Sequence, residues 1–382
     1  MIKLVNDTID KDDITALVTW LQQDEIPKLT KGELTISLEK AWASKIGTKY
    51  SVYVSSGSAA ILLTLASLLR TKRLRNNKVV VSSLSWATDV SSPILLGMDT
   101  ILCDCNLHDL SCDLNQLEDI FKKEAPASLI LVSPLGLVPD MQTILTLCNK
   151  YDVILLEDVC ESLGSKYAGQ YLGSFGVAGF FSTYYGHHVS TIEGGFVTTN
   201  DEELYYSMLM MRSHGWDRDL PDFKKKELRD KHNIDDFSAL YRFYLPGFNL
   251  RATDLQAFLG LRALSKIDSF ALKRNKNYHF YRDNITSNLL SLAEEKDNFI
   301  SNFAYPLVVE NRTKMVAKLQ ANKIEIRPLI AGNVANSPMC LSECRYLNLS
   351  NSNRIDNNGF YIPNHQGLTE EDLSGLVQII NS

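Results

Sequence analysis

Strand-like runs alternate with helix-like segments through the first two thirds of this 382-residue chain, and that rhythm restricts its fold more than any other feature. The strand candidates are Ser51–Val54, Val79–Ser82, Thr100–Asp104, Leu129–Val132, Val153–Leu156, Phe180–Thr183 and Gly195–Thr199. Between them, Ala59–Leu69, Asp140–Tyr151 and Asp201–Arg212 have the apolar spacing of covering helices. The predicted class is therefore α/β: a large domain on a mostly parallel, seven-stranded sheet, followed by a smaller C-terminal α/β domain. After Arg212 the pattern gives way to a charged stretch, Asp217–Asp236, which reads as an exposed excursion or mobile flap. A long helical region follows Asp254, and the expected division is 1–245 and 246–382.

Composition serves mainly to exclude. The formal net charge of -6 offers no electrostatic footprint for a nucleic-acid backbone, so any nucleotide contact should be local to a pocket. Met1–Asp13 is too polar for the core of a signal peptide, and no apolar run approaches the length of roughly 20 residues that spans a bilayer. A cytoplasmic location without membrane contact is the expectation. The cysteines number seven, an odd count in a long chain, which reads as reduced thiols. Cys103, Cys105 and Cys112 sit close enough to suggest an iron–sulfur ligand set. The competing reading, adopted here, puts Cys103 and Cys105 on one face of a strand as small apolar residues, and Cys340 and Cys344 lie far off; no metal site is expected.

Chemistry concentrates where strands end. Val52-Tyr-Val-Ser-Ser-Gly-Ser-Ala-Ala runs from a strand straight into an apolar helix, with Gly57 permitting close backbone approach and Ser58 offering hydroxyl and amide to an anion at the helix start. Leu84-Ser-Trp-Ala-Thr places Trp86 at a strand's carboxyl end, where α/β sheets bind ligands and an indole can stack on a planar ring. Burial in the core is the competing role for Trp86. Val153-Ile-Leu-Leu-Glu-Asp-Val-Cys-Glu ends a fully apolar strand on Glu157, Asp158 and Glu161. An aspartate there can face a pyridine nitrogen and keep it protonated, or can simply cap a helix. Finally, Phe180–Asn200 carries Ser182, adjacent His187 and His188, and the turn Glu193-Gly194-Gly195.

In order and spacing these motifs resemble the DegT/DnrJ/StrS sugar aminotransferases, which have the aspartate-aminotransferase fold, type I of the pyridoxal phosphate enzymes. The likeness runs from about Thr30 to Asn364 and includes Gly247-Phe-Asn-Leu-Arg-Ala-Thr-Asp-Leu-Gln-Ala-Phe-Leu-Gly. It implies that Gly57, Ser58 and Ser182 hold a cofactor phosphate, that Trp86 and Asp158 hold its ring, and that Asn249 reaches the phosphate in a partner subunit of a homodimer. Two positions depart from the family's pattern. His187 stands where the Schiff-base lysine is usual, and Glu161 where glutamine is usual. Both changes occur together in a small subgroup that also has motifs like His214-Gly-Trp, Arg327-Pro and Asn364-His-Gln.

That substitution carries a chemical expectation. Lysine both anchors the cofactor and moves protons, whereas an imidazole can do only the second. The resemblance thus implies pyridoxal or pyridoxamine 5'-phosphate held non-covalently, with His187 as base, Glu161 near the ring hydroxyl and His188 in support. It implies removal of the 3-hydroxyl of a nucleoside diphosphate-linked 4-keto-6-deoxyhexose in deoxysugar and O-antigen biosynthesis, with an amino-acid donor such as glutamate reloading the cofactor. His214, Arg218, Arg251 and Arg327 are candidate contacts to sugar, diphosphate or donor carboxylate. Two other readings stay open: an aminotransferase using a base other than lysine, and a binding or regulatory protein whose catalysis has decayed.

Overall fold

The computed structural model describes residues 1–292 and 297–382. In its first half it has β1 (Tyr50–Val54), β2 (Lys78–Ser82), β3 (Asp99–Cys103), β4 (Ser128–Val132), β5 (Ile154–Asp158), the short β6 (Lys166–Tyr167) and β7 (Gln170–Tyr171), β8 (Ala178–Ser182) and β9 (Gly195–Thr199). Toward the C-terminus follow β10 (Asn298–Phe299), β11 (Ala304–Val308), β12 (Arg327–Pro328), β13 (Cys344–Arg345) and β14 (Gly359–Pro363). The large sheet has the order β1-β9-β8-β5-β4-β2-β3-β13, and β11, β14 and β12 form a separate antiparallel sheet. All seven predicted strands lie in the large sheet; the eighth member, β13, pairs in parallel with β3 through only two residues.

Alternation along each strand divides the core into two layers. Leu129 and Leu131 face one side of β4 and Ile130 the other, each fully buried. One layer is covered by the helices Gly57–Arg70 and Glu202–Arg212, which bring in Leu63, Met208 and Met211; the other is covered by Glu33–Ile46 and Met141–Tyr151, with Trp42 and Ile144. Cys103, Cys105 and Cys112 belong to the second layer, and burial pushes the Cys105 thiol up to about 12, away from the thiolate that an iron–sulfur centre needs. Among the described residues no group of three or more His, Cys, Asp or Glu side chains is placed to hold a metal ion.

The charged stretch is largely exposed, as expected, but it is helical. Asp222–His232 is a helix with no buried residue. Its charged residues form helix readily, and Arg229 anchors it by donating to the fully buried Asp217 at 2.8 Å. Farther on, the motif around Asn249 has a structural use. Asp254, buried at the start of the helix Asp254–Leu264, accepts the N–H groups of Gly32, Leu34 and Thr35 and the Thr35 hydroxyl at 2.6–3.2 Å, capping the helix Glu33–Ile46 from a distant part of the chain. Asp254→Ala strands all of these donors, and urea unfolding should register a loss of about 3 kcal/mol.

Candidate active site

Every motif singled out at a strand end arrives at the same sheet edge. The parallel strands β2, β4, β5 and β8 finish there, and the chain after β2 turns to β3 on one side while β4 lies on the other, which opens a crevice beyond their carboxyl ends. Because β9 runs antiparallel to β8, its first residue, Gly195, pairs with the last of β8, Ser182. Val54, ending β1, pairs with Gly195 too. A cleft of about 730 Å³ occupies this edge, and Gly57, Ser58, Trp86, Asp158, Glu161 and Ser182 all line it. His187 and Arg327 line it as well.

At one end lies the start of the helix Gly57–Arg70, two residues earlier than the sequence suggested. Ser56 caps it, its hydroxyl accepting the Ala59 N–H at 3.1 Å, so Gly57 and Ser58 are its first residues and no preceding turn can engage their N–H groups. Space around the glycine is tight. A Cβ at Gly57 would stand 3.0 Å from both the Ser182 Cβ and the Cys160 Sγ, and one at Gly195 would meet the Ser56 carbonyl carbon at 2.3 Å. Ser58 donates its hydroxyl to Thr88 at 3.3 Å, and Ser182 accepts the Tyr184 N–H at 3.3 Å. Trp86 is 57% exposed, which rules out the core role and leaves a bare indole at the cleft.

The carboxylates separate by environment. Glu157 points away from the cleft and accepts the N–H groups of Gly173, Phe175 and Gly176, a purely structural use. Asp158, next along, takes the Cys160 N–H at 2.9 Å on one oxygen and caps no helix. Glu161 accepts the Leu135 N–H at 3.0 Å, while burial, helped by the charge of Asp158, pushes its carboxyl up to about 7. The neighbouring Leu135 has a left-handed backbone, φ 52°, an uncommon conformation for leucine that aims this N–H.

His187 sits half-buried on the loop between β8 and β9, its ring centroid 5.4 Å from that of Phe303. Its Nδ1 is shielded from water and has no hydrogen-bonded partner. Burial pulls the imidazole down to about 4; the nearby Cys160 backbone opposes this, and the charge of Arg274 adds to it. Arg274 is itself buried, donating to the carbonyls of Phe303 and Asn364. His188 points away, its Nε2 2.9 Å from the Ser301 carbonyl, and burial likewise keeps it neutral.

Four other candidates lie outside the cleft of their own chain. Arg218 and Arg251 line a second cavity of about 840 Å³ with Lys28, Lys31, Trp20 and Trp216. Arg218 lies over the Trp216 ring at 3.8 Å, and His214 packs edge-on to the same indole. Asn249 is exposed, its backbone bridged to Ser213. Conversely, Lys3, Phe303, Glu325 and Tyr361 line the His187 cleft without having been singled out. The N-terminal residues reach it because Ile2 pairs with Ile324 and the Leu4 N–H binds Glu325 at 3.0 Å, contacts that no local pattern encodes.

Known proteins share this fold. GDP-4-keto-6-deoxy-D-mannose 3-dehydratase of Yersinia pseudotuberculosis is 32% identical over 99% of this chain and 97% of its own. Two crystal structures of GDP-4-keto-6-deoxymannose-3-dehydratase, one a mutant with bound GDP-perosamine and one with a trapped PLP-glutamate geminal diamine, each superpose with a TM-score of 0.90 at 28% identity, covering 100% of both chains. The sequence profile of the DegT/DnrJ/EryC1/StrS aminotransferase family matches residues 7–381, and the chain belongs to that family.

Proposed function

We propose that this protein is a pyridoxal/pyridoxamine phosphate-dependent dehydratase that removes the 3-hydroxyl of a nucleoside diphosphate-linked 4-keto-6-deoxyhexose, GDP-4-keto-6-deoxymannose being the substrate best supported. The observation that carries the reading is the imidazole of His187, which lines the cleft and is kept neutral by burial, at the position where the family resemblance implies the Schiff-base lysine. The surrounding residues suit the cofactor. A helix start with free N–H groups, beside Ser182, receives a phosphate; the bare Trp86 indole flanks a ring; Asp158 stands at a strand tip to meet a pyridinium.

Bound as pyridoxamine phosphate, the cofactor supplies an amine for the 4-keto group and a ring that accepts an electron pair. The protein supplies the proton traffic. Burial holds the His187 imidazole neutral down to well below its ordinary value of 6.5, so it stands ready as a base, and the negative charge arriving with a phosphate moves its affinity for protons upward. As imidazolium it then gives a proton to the departing hydroxyl. Glu161, poised near 7, can accept or donate a hydrogen bond at the ring's edge. An imidazole cannot capture the cofactor covalently, so phosphate and ring contacts alone retain it.

Glutamate reloads the amine after each cycle, a role supported by the glutamate adduct in a structural relative. The exposed position of Asn249 suits a homodimer in which it meets the partner's cleft. Among the described residues no helix is long and apolar enough to cross a membrane, and we place the reaction in the cytoplasm. Incubation with pyridoxamine phosphate, glutamate and GDP-4-keto-6-deoxymannose, followed by mass spectrometry, should give the 3-deoxy ketone and ammonia. An amino sugar as product would overturn dehydration.

A further inference from the structure

Behind Asp158 lies a second carboxyl group that the proposed mechanism does not use. Asp89 is the third residue of the helix Ala87–Leu95, where an acid ordinarily closes a capping box at the surface with its oxygens in water. Here it is fully buried. One oxygen, Oδ2, accepts the backbone N–H of Trp86 at 3.1 Å; the other, Oδ1, finds no donor. A buried, half-satisfied carboxylate is costly, and the group facing it makes matters worse: Asp89 lies within side-chain hydrogen-bonding reach of Asp158.

Two carboxylates cannot share a hydrogen bond unless one carries a proton. Asp158 opens onto the cleft and already accepts the Cys160 N–H, whereas Asp89 has no access to water. Burial first, and then the charges of Asp158 and Glu161, push the Asp89 carboxyl well above the usual carboxylate range, with the Trp86 N–H opposing them. Cys160, also packed here, is held as a neutral thiol by burial.

We propose that Asp89 is a positioning residue: as a neutral carboxylic acid it donates a hydrogen bond to Asp158 while accepting one from Trp86, tying the carboxylate that meets the cofactor ring nitrogen to the residue that flanks the ring's face. The inference rests on the assignment of Asp158 and Trp86 to the cofactor. It predicts that asparagine, whose amide can donate to Asp158 and accept from Trp86, substitutes for Asp89, and that an apolar residue does not.

The test is titration of the whole protein with pyridoxal phosphate, followed by absorbance and without turnover. Asp89→Asn should bind within about twofold of the native protein with an unchanged pH profile from 6 to 9, and Asp89→Leu should bind roughly ten- to a hundredfold more weakly, the loss of one hydrogen bond to a charged group. Equal weakening in both variants, or none in Asp89→Leu, overturns the proposal. Should Asp89→Leu fail to fold, infrared difference spectra decide: the native protein must show the carbonyl stretch of a protonated carboxylic acid that Asp89→Asn lacks, and its absence overturns the idea. Asp158→Asn is the control on the underlying assignment. If it binds the cofactor as tightly as the native protein, the ring-nitrogen role fails and the Asp89 proposal with it; if it weakens binding while Asp89→Leu does not, the Asp89 proposal alone fails.

Discussion

Replacing His187 with asparagine should lower the rate of dehydration by roughly 10²–10⁴-fold, the range that general acid–base catalysis contributes, while the affinity for pyridoxamine phosphate stays within about threefold. Asparagine keeps a polar side chain on the loop and disturbs neither the helix start at Gly57 nor Asp158, but it has no lone pair basic enough to take a proton. Single-turnover mixing should show the substrate bound and the chemistry stalled. Acid sensitivity should change as well. In the fold His187 is held near 4, whereas in the unfolded chain it returns to about 6.5, and His365 is shifted in the same sense. Below 6.5 the unfolded chain therefore takes up protons that the native state refuses. Stability is fully present above 6.5 and falls as the pH drops toward 4. Thermal unfolding of His187→Asn followed across that window should lose less stability than the native protein. Near-normal turnover, or an unchanged acid limb, removes His187 from the role given to it.

Restoring lysine at the same position should have the opposite effect on the cofactor. His187→Lys puts a primary amine in the cleft, beside the burial and the Arg274 charge that hold the imidazole neutral. The same surroundings favour an uncharged, nucleophilic lysine. The variant should turn yellow with pyridoxal phosphate, and borohydride should then fix the cofactor to the chain, visible as an added mass on the peptide containing residue 187. Dehydration should fall by about 10²-fold or more, since the amine is consumed as an anchor. A variant that remains colourless and cannot be reduced onto the cofactor would place the covalent position elsewhere.

Much of the sheet was legible because each buried strand is a short apolar run with a polar or glycine-rich end, and those ends are where the chemistry sits. The same signal located Ser58, Trp86 and Asp158, the family resemblance added Ser182 and His187, and the fold gathers all five at one edge. Other parts were silent for physical reasons. The helix Asp222–His232 buries nothing, so it has no apolar stripe to read. The strand β13 is two residues long and exists only because β3 offers it an edge. Asp89 looks like an ordinary helix-start acid, and only its depth in the fold distinguishes it. The walls contributed by Lys3, Phe303, Glu325 and Tyr361 depend on contacts between the two ends of the chain. Arg218 and Arg251 were chosen for their charge alone, and charge does not specify which cavity a side chain enters.

The loop that carries His187 is closed at its base by hydrogen bonds from the Thr183 N–H to Gly194 and from the Thr191 N–H to Thr183, in line with the pairing of Ser182 with Gly195. Its tip can accordingly be edited as a replaceable cartridge: the strands on either side keep their register whatever base the loop presents. A lineage with this scaffold could exchange one reaction outcome for another by point substitution, without passing through a misfolded ancestor, and a protein engineer can travel the same route in either direction.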